Sequence, residues 1–226
     1  MNDPYAPITW YRSPGLVPYE EADAFMRRRA AAIADRVQPE LIWLLEHPPV
    51  YTRGSRARSE HVREPLTIPM FETDRGGEIT YHGPGQRIAY VMIDVGRRMK
   101  GDVRTFVRTL ETVVIDTLDN LGIPSWSDPA RPGVWVHDPG AADAEAKIAA
   151  IGLKIRRGVS FHGLALNIAP DLGRFAAIVP CGLEGSCVTS LEALGANQGA
   201  ESVDQLLIEN FERQWGPLRP LETPPL

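Results

Sequence analysis

Apolar residues recur at helical spacing from Tyr19 to Val37, where Ala22, Phe25, Met26, Ala30, Ile33, Ala34 and Val37 share one face. A second such stretch runs from about Val103 to Leu121, aligning Phe106, Leu110, Val113, Val114, Leu118 and Leu121, with Gly122 and Pro124 as its stop. A third helix is predicted over Val203 to Trp215, and the proline-rich tail after Gly216 reads as irregular. Between the helices the pattern shortens. Ile8 to Tyr11 reads as a strand followed by the turn Ser13-Pro14-Gly15, and Leu41 to Leu45 as a buried strand ended by His47-Pro48-Pro49. Glu78 to Tyr81 and Ile88 to Val95 read as strands around the turn His82-Gly83-Pro84-Gly85, and Val134 to Val136 as a short strand. Ile148 to Ile155 and Val159 to Ile168 predict a hairpin closed at Arg156-Arg157-Gly158, where Gly158 takes positive φ. Thr52 to Glu64 is charged and without apolar period, hence a surface loop; Asp138 to Ala146 is small and polar, hence a flexible one. This order of elements predicts an α+β fold, a mixed, largely antiparallel sheet flanked by helices.

Composition adds limits. A chain of 226 residues with 43% hydrophobic and 23% charged residues fits one soluble domain, taken here as 1–226, able to bury a core without staples. A net charge of −5 speaks against nucleic acid as the main partner. Basic residues still cluster at Arg27-Arg28-Arg29 and from Arg53 to Arg63, where they either face solvent or steer a small acidic protein. The N-terminus lacks the pattern of a secretory signal, and no apolar run is long enough to span a bilayer, so no membrane association is expected. The two cysteines, Cys181 and Cys187, form neither a disulfide framework nor a zinc signature. A reducing cytoplasm follows as the expected compartment, where a free thiol persists as a nucleophile.

Three clusters hold residues fit for chemistry. Arg75-Gly76-Gly77-Glu78-Ile79-Thr80-Tyr81-His82-Gly83-Pro84-Gly85-Gln86 packs four glycines and a proline into twelve residues. Such a segment either makes a tight connection or lets backbone N–H groups approach a ligand; it lacks phosphate-loop spacing. In Val179-Pro180-Cys181-Gly182 a cysteine sits at an irregular turn, open to a nucleophilic role, although lone cysteines are commonly small buried hydrophobes, as Cys187 beside Val188 reads. Lys147 opens the apolar stretch Ile148-Ala149-Ala150-Ile151-Gly152, where it either snorkels to solvent or, near a thiol, stabilises the thiolate. His162, in Phe161-His162-Gly163-Leu164-Ala165-Leu166-Asn167, is open to a structural hydrogen-bonding role.

Taken together, these segments resemble the four landmarks of the lipoyl(octanoyl) transferase family, in the family's order, across roughly residues 40–215. The resemblance implies the catalytic-domain fold of biotin and lipoate protein ligases. It implies octanoyl transfer from octanoyl-acyl carrier protein to a lysine of lipoyl domains, those of 2-oxoacid dehydrogenase complexes and of the glycine cleavage H protein. It implies no cofactor and no metal. Cys181 becomes the acyl-thioester nucleophile and Lys147 its catalytic partner. Arg75, Gly76, Gly77, Glu78, Ile79, Thr80, Tyr81 and His82, with Ala150, Ile151, Gly152, Gly163, Leu164 and Ala165, become the acyl-binding set.

These residue types permit the chemistry. A thioester on Cys181 divides transfer between two proteins into two steps, so they need not bind together. Lys147 as ammonium favours the thiolate, and once the sulfur is acylated it can give up its proton and serve as base toward the incoming lysine. Burial of one methylene contributes about 0.8 kcal/mol, roughly fourfold in affinity, so a preference for eight carbons requires a closed end that longer chains strike. Three rivals remain. A lipoate–protein ligase using ATP carries an Asp and an Asn where this chain has Gly83 and Gln86, and lacks the cysteine. A Cys–His hydrolase would pair Cys181 with His82 or His162 and release free acid. A binding module would acquire no acyl adduct.

Overall fold

A computed structural model describes residues 7–63, 65–137, 145–179, 187–196 and 198–226. In chain order its elements are β1 (Thr9–Leu16), α1 (Tyr19–Ala34), β2 (Leu41–Glu46), β3 (Val50–Arg53), β4 (Met70–Glu72), β5 (Ile79–His82), β6 (Gln86–Met92), α2 (Val95–Arg98), α3 (Val103–Asn120), β7 (Trp126–Asp128), β8 (Arg131–His137), β9 (Glu145–Arg156), β10 (Val159–Asn167), β11 (Cys187–Val188), α4 (Ala200–Trp215) and β12 (Arg219–Pro220). The larger sheet runs β12-β1-β2-β6-β10-β9-β8-β7, with β11 added beside β9. Its β12–β1, β1–β2 and β11–β9 pairs are parallel and the others antiparallel, which bears out the mixed, largely antiparallel sheet. A smaller sheet, β4-β3-β5, lies apart.

Both faces of the large sheet are covered, so its central strands read as continuous apolar runs rather than alternating ones. Along β2 the alternation survives as a choice between two cores. Ile42 and Leu44 join Phe106, Leu110 and Val114 of α3 and Leu207 and Phe211 of α4. Leu41, Trp43 and Leu45 join Ala22, Met26, Ala30 and Ile33 of α1. A third cluster, with Tyr51, Tyr81, Phe175 and Ile178, packs at the small sheet. The Asp102 side chain caps α3 by accepting from the Thr105 N–H at 2.9 Å, and Gly122 at φ 72 follows its end. In the β9–β10 hairpin Arg157 and Gly158 both take positive φ, 52 and 83, the pairing a two-residue turn requires.

Several boundaries differ from the sequence pattern, each for a local reason. Ser13-Pro14-Gly15 does not end the first strand but lies inside β1, where the register slips between Arg12 and Leu16; the interrupted ladder tolerates a proline. Thr52 to Glu64 is not all loop, because Thr52 and Arg53 belong to β3 and Ser59–His61 forms a 3-10 turn. The sixth strand ends at Met92, since Asp94 caps the short α2 through the Arg97 N–H at 2.9 Å. Glu145 and Ala146 extend β9 rather than a loop, and the rest of that predicted loop, 138–144, lies outside the described residues. The tail is not wholly irregular: the Arg219 N–H donates to the Ile8 carbonyl at 2.9 Å, adding β12 to the sheet edge.

Gly163 fixes the closest approach in the sheet. A Cβ there points into the Ala89 carbonyl of β6, whereas one at Gly15 meets nothing within 4 Å. We expect Gly163→Ala to destabilise the fold by about 1–3 kcal/mol in urea titrations, and Gly15→Ala to stay within about 0.5 kcal/mol. Equal stability of the two variants would refute this account of the β6–β10 contact.

Candidate active site

On the α1 face of the large sheet, next to the small sheet, lies a cavity of about 580 Å³. Its floor is unusually bare. The register places Ala150, Ala165 and Ile88 in one row across β9, β10 and β6, and Gly152, Gly163 and Tyr90 in the next. Four of these six residues are glycine or alanine, so the two rows form a trough between the bulk of β6 and the residues of β8.

A β-bulge brings Lys147 into this trough. Val134 of β8 pairs with Ala149, but Trp135 pairs with Lys147, which leaves Ile148 as an extra residue in β9. Ala146, Ile148 and Ala149 are all buried in the core under α3, with Ile151 and Leu153 packed against it. The alternation therefore changes phase at Ile148. Lys147 lies on the same face as Ala150 and Gly152, where an unbroken strand would have sent it to the opposite one.

Lys147 is buried, and its ammonium is held from two sides. Nζ donates to the Pro132 carbonyl at 2.9 Å and lies 4.6 Å from the centre of the Trp135 ring, a cation–π contact that Arg131 also makes at 4.3 Å. Gly133, at φ 123, is the adjoining requirement: a Cβ there would come within 2.6 Å of the Ala149 carbonyl and 3.2 Å of the Lys147 stem. From the other side Glu111 of α3 accepts the Gly133 N–H at 3.0 Å. Burial pushes the Glu111 carboxyl up, while the Gly133 N–H and the Arg108 and Lys147 charges hold it down.

The segment from Arg75 to His82 roofs the trough. The Gly76 N–H donates to the Leu153 carbonyl of β9 at 2.8 Å, and a Cβ on Gly152 would meet Arg75 Cδ at 3.2 Å. Arg75 itself is buried and ties the roof together. Its Nη2 donates to the Thr52 carbonyl at 2.8 Å, to Thr52 Oγ1 at 2.9 Å and to the Glu78 carbonyl at 2.9 Å. Its guanidinium thus orders backbone at the cavity. In β5 the alternation sends Thr80 and His82 to the cavity lining, while the Tyr81 ring packs between Tyr51 and Phe175 at 5.7 and 5.5 Å.

The inner end of the cavity is a nest of neutral polar rings. His47 Nδ1 contacts the Val17 carbonyl at 2.6 Å, which fixes the proton there; Nε2 then accepts from the Tyr90 hydroxyl at 2.7 Å. His82 Nδ1 donates to Gln86 Oε1 at 2.6 Å, and Gln86 Nε2 donates to the Tyr81 carbonyl and Asn167 Oδ1. His162 has φ 62, which turns its ring toward Phe161 and Tyr90; its Nε2 lies 3.7 Å from Asp74 and has no hydrogen-bond partner among the described residues. Burial lowers His47 and His162 from 6.5 to about 4, and His82 to about 3. The folded state therefore resists protonation that the unfolded chain accepts below 6.5. Stability is complete above that pH and declines as pH falls toward about 4. We expect each of the sealed pair His47 and His162 to contribute a slope of order 1 kcal/mol per pH unit in urea unfolding. A flat profile across this window would contradict the neutral, sealed assignment.

Of the residues named from sequence, Lys147, Arg75, Gly76, Gly77, Glu78, Ile79, Thr80, His82, Ala150, Ile151, Gly152, Gly163, Leu164 and Ala165 all line this one cavity, and Tyr81 does not. Cys181 lies outside the described residues, as does the Cys187 side chain. The cavity adds residues that sequence reasoning missed: Ile88 and Tyr90 inside, and Arg56, Val103, Val107, Arg131 and Pro132 toward solvent. Ile88 and Tyr90 had one usable signal, their period-two spacing on a strand facing the His82 segment. The others come from elements distant in sequence.

Comparison with known proteins agrees with this architecture. Residues 18–212 match the lipoyl protein ligase A/B catalytic domain. An octanoyltransferase of Caulobacter vibrioides is 49% identical over 224 residues, covering 99% of each chain. Among solved structures, a bi-partite lipoate protein ligase from Thermoplasma acidophilum superposes with a TM-score of 0.67 at 17% identity, covering 96% of this chain and 86% of that one. The biotin protein ligase of Aquifex aeolicus, solved with biotin and ATP, gives 0.54 at 9% identity, covering 92% and 70%. The structures show the shared fold, and the sequence match places the chain: it belongs to the octanoyltransferases, the lipoyl(octanoyl) transferase family within the lipoyl protein ligase A/B catalytic domain.

Proposed function

We propose that this acyltransferase takes octanoate from octanoyl-acyl carrier protein, holds it as a thioester on Cys181, and passes it to the lysine of a lipoyl domain. The observation that carries the reading is the trough of glycine and alanine that ends at a buried, oriented Lys147. Its recipients are the lipoyl domains of 2-oxoacid dehydrogenase complexes and the glycine cleavage H protein, in a reducing cytoplasm. The Thermoplasma ligase, described together with an E2 lipoyl domain, supports that recipient class. Among the described residues no helix is long and apolar enough to cross a membrane.

In the first step the Cys181 thiolate attacks the thioester carbonyl, and the carrier's sulfur leaves and takes up the proton that Lys147 gives up, which leaves the lysine neutral. One thioester replaces another, so the step is close to neutral in free energy. Val188, seven positions after Cys181 in sequence, supports assigning the cysteine and Lys147 to one reaction. The Val179 N–H is held by the His61 carbonyl at 2.8 Å, and Val188 pairs with Lys147 in the β11–β9 ladder. In the second step Lys147 accepts a proton from the incoming lysine, whose amine attacks the acyl carbon, and the Cys181 sulfur leaves. Amide formation drives this step.

The ATP-dependent ligase reading is weakened by Gln86. Its amide is fully engaged with Tyr81, His82 and Asn167, at a position where the ligase pattern carries Asn. The hydrolase reading is weakened by His82 and His162, which burial keeps neutral but low in basicity, with His82 Nδ1 already donating to Gln86.

Intact-mass spectrometry after incubation with octanoyl-acyl carrier protein tests the reading: one octanoyl adduct on the wild type, without ATP, and none on Cys181→Ala. Cys187→Ala should keep substantial transfer. Near-normal turnover of Cys181→Ala would overturn the covalent mechanism. Lys147→Arg keeps a cation but cannot readily release a proton, so iodoacetamide should still alkylate the thiol near neutral pH while transfer to the lipoyl domain collapses. Lys147→Ala should lose both. A histidine change that shifts the alkylation profile, with both Lys147 variants leaving it unmoved, would assign the base to histidine instead.

A further inference from the structure

We propose that Tyr90, pinned by His47, is the wall that ends the acyl channel and sets the longest chain the protein accepts. This rests on the acyl-transfer reading of the same cavity and goes beyond it by naming what fixes chain length.

The geometry begins with the two cross-strand rows. Ala150–Ala165–Ile88 and Gly152–Gly163–Tyr90 run from β9 to β6, small residues first and a large one last in each. Lys147 lies at the β9 end, with the exposed Val103 beyond it toward solvent, whereas Ile88 and Tyr90 are only 2% and 4% exposed. An acyl chain whose carbonyl lies near Lys147 therefore enters at β9 and points its methyl end at β6. Two inter-strand spacings make the span from β9 to β6 about 10 Å, and Lys147 precedes the Gly152–Gly163–Tyr90 row along β9, so a chain from Lys147 to Tyr90 runs obliquely and covers more than this. An octanoyl chain has seven carbon–carbon bonds of about 1.5 Å, shortened by their zigzag to roughly 9 Å end to end. An octanoyl chain therefore stops short of Tyr90, and four more carbons, adding about 5 Å, carry the methyl end toward the Tyr90 ring.

A wall sets a limit only if it cannot move aside. Tyr90 is backed by Trp43, with ring centres 6.2 Å apart, and by His47 at 5.7 Å. Its hydroxyl donates to His47 Nε2 at 2.7 Å, and that nitrogen can only accept because Nδ1 is engaged with the Val17 carbonyl. His47 is fully buried, so a Tyr90 ring that swung away would leave the imidazole nitrogen without water or a partner. The tether thus converts an aromatic side chain into a fixed stop.

The test measures acyl-enzyme formation from hexanoyl-, octanoyl-, decanoyl- and dodecanoyl-acyl carrier protein in competition, read by intact mass on the full chain. For the wild type, acylation should fall by about tenfold or more from octanoyl to dodecanoyl. Tyr90→Leu should raise the dodecanoyl-to-octanoyl ratio by roughly tenfold. Tyr90→Phe keeps the packing and removes only the tether, and should raise the ratio by a smaller, measurable factor. Ala150→Leu, which narrows the trough ahead of the wall, should move the preference toward hexanoyl. A folded Tyr90→Leu with the wild-type profile overturns the proposal. If that variant does not fold, an unchanged ratio in Tyr90→Phe overturns it. A wild type that accepts dodecanoyl as readily as octanoyl also overturns it. Absence of any adduct on the wild type with every donor would instead sink the acyl-transfer reading itself.

Discussion

One extra residue in β9 governs the rest of the site. Without the bulge at Ile148, a strand of strict period two that sends Ala150 and Gly152 to the cavity would send Lys147 into the core under α3. There its ammonium would face Phe106 and Leu110 with no compensating partner, an arrangement costing several kcal/mol. The bulge resolves the conflict by letting Ile148 and Ala149 both face the core. The lysine then lies over the Trp135 ring, its Nζ donating to the Pro132 carbonyl. Gly133 belongs to the same corner: a Cβ there would strike the Ala149 carbonyl at 2.6 Å and crowd the Lys147 stem at 3.2 Å.

The polar groups around the cavity divide into two kinds. Arg75, His47, Gln86 and Glu111 have their hydrogen bonds directed at backbone or at the neighbouring side chains of Thr52, Tyr90, His82 and Asn167, and they hold the walls. A buried network of this sort favours a single arrangement, since each member left unpaired carries a desolvation cost of about 1–3 kcal/mol. Lys147 is the ionisable group that the trough itself leads to. A rigid frame around an oriented ammonium suits the proposed reaction, in which the same lysine serves first as a charge and then as a base.

Much of this was legible in the sequence, and the limits have physical causes. The helices were visible because α1, α3 and α4 each bury one stripe against the sheet, and the β9–β10 hairpin because Arg157-Gly158 has turn chemistry. Strands β3, β4 and β7 were not visible, being four residues or fewer and holding Thr, Arg, Glu, Ser and Asp that find partners only in the folded chain. Pro14 misled because a proline normally ends a strand, and only the pairing register reveals a gap that admits it. The glycines of the roof and floor were conspicuous as glycines. Their function as a trough required knowing that residues 150, 165 and 88 share a row, a long-range register that local pattern does not encode.

In the proposed reaction, covalent catalysis and the bare trough serve one another. Burying the seven carbons beyond the carbonyl contributes about 5–6 kcal/mol at roughly 0.8 kcal/mol each. That is enough to keep the chain seated, yet a non-covalent fatty acid would still exchange with solvent between the visits of two proteins. The thioester removes that loss but brings another, since its carbonyl is open to water while the first partner departs and the second arrives. A floor made mostly of glycine and alanine would let the acyl group fill the space that water otherwise occupies, and the roof held down by Arg75 limits access from above. In that proposed reaction the fit that seats the chain also protects the bond that carries it.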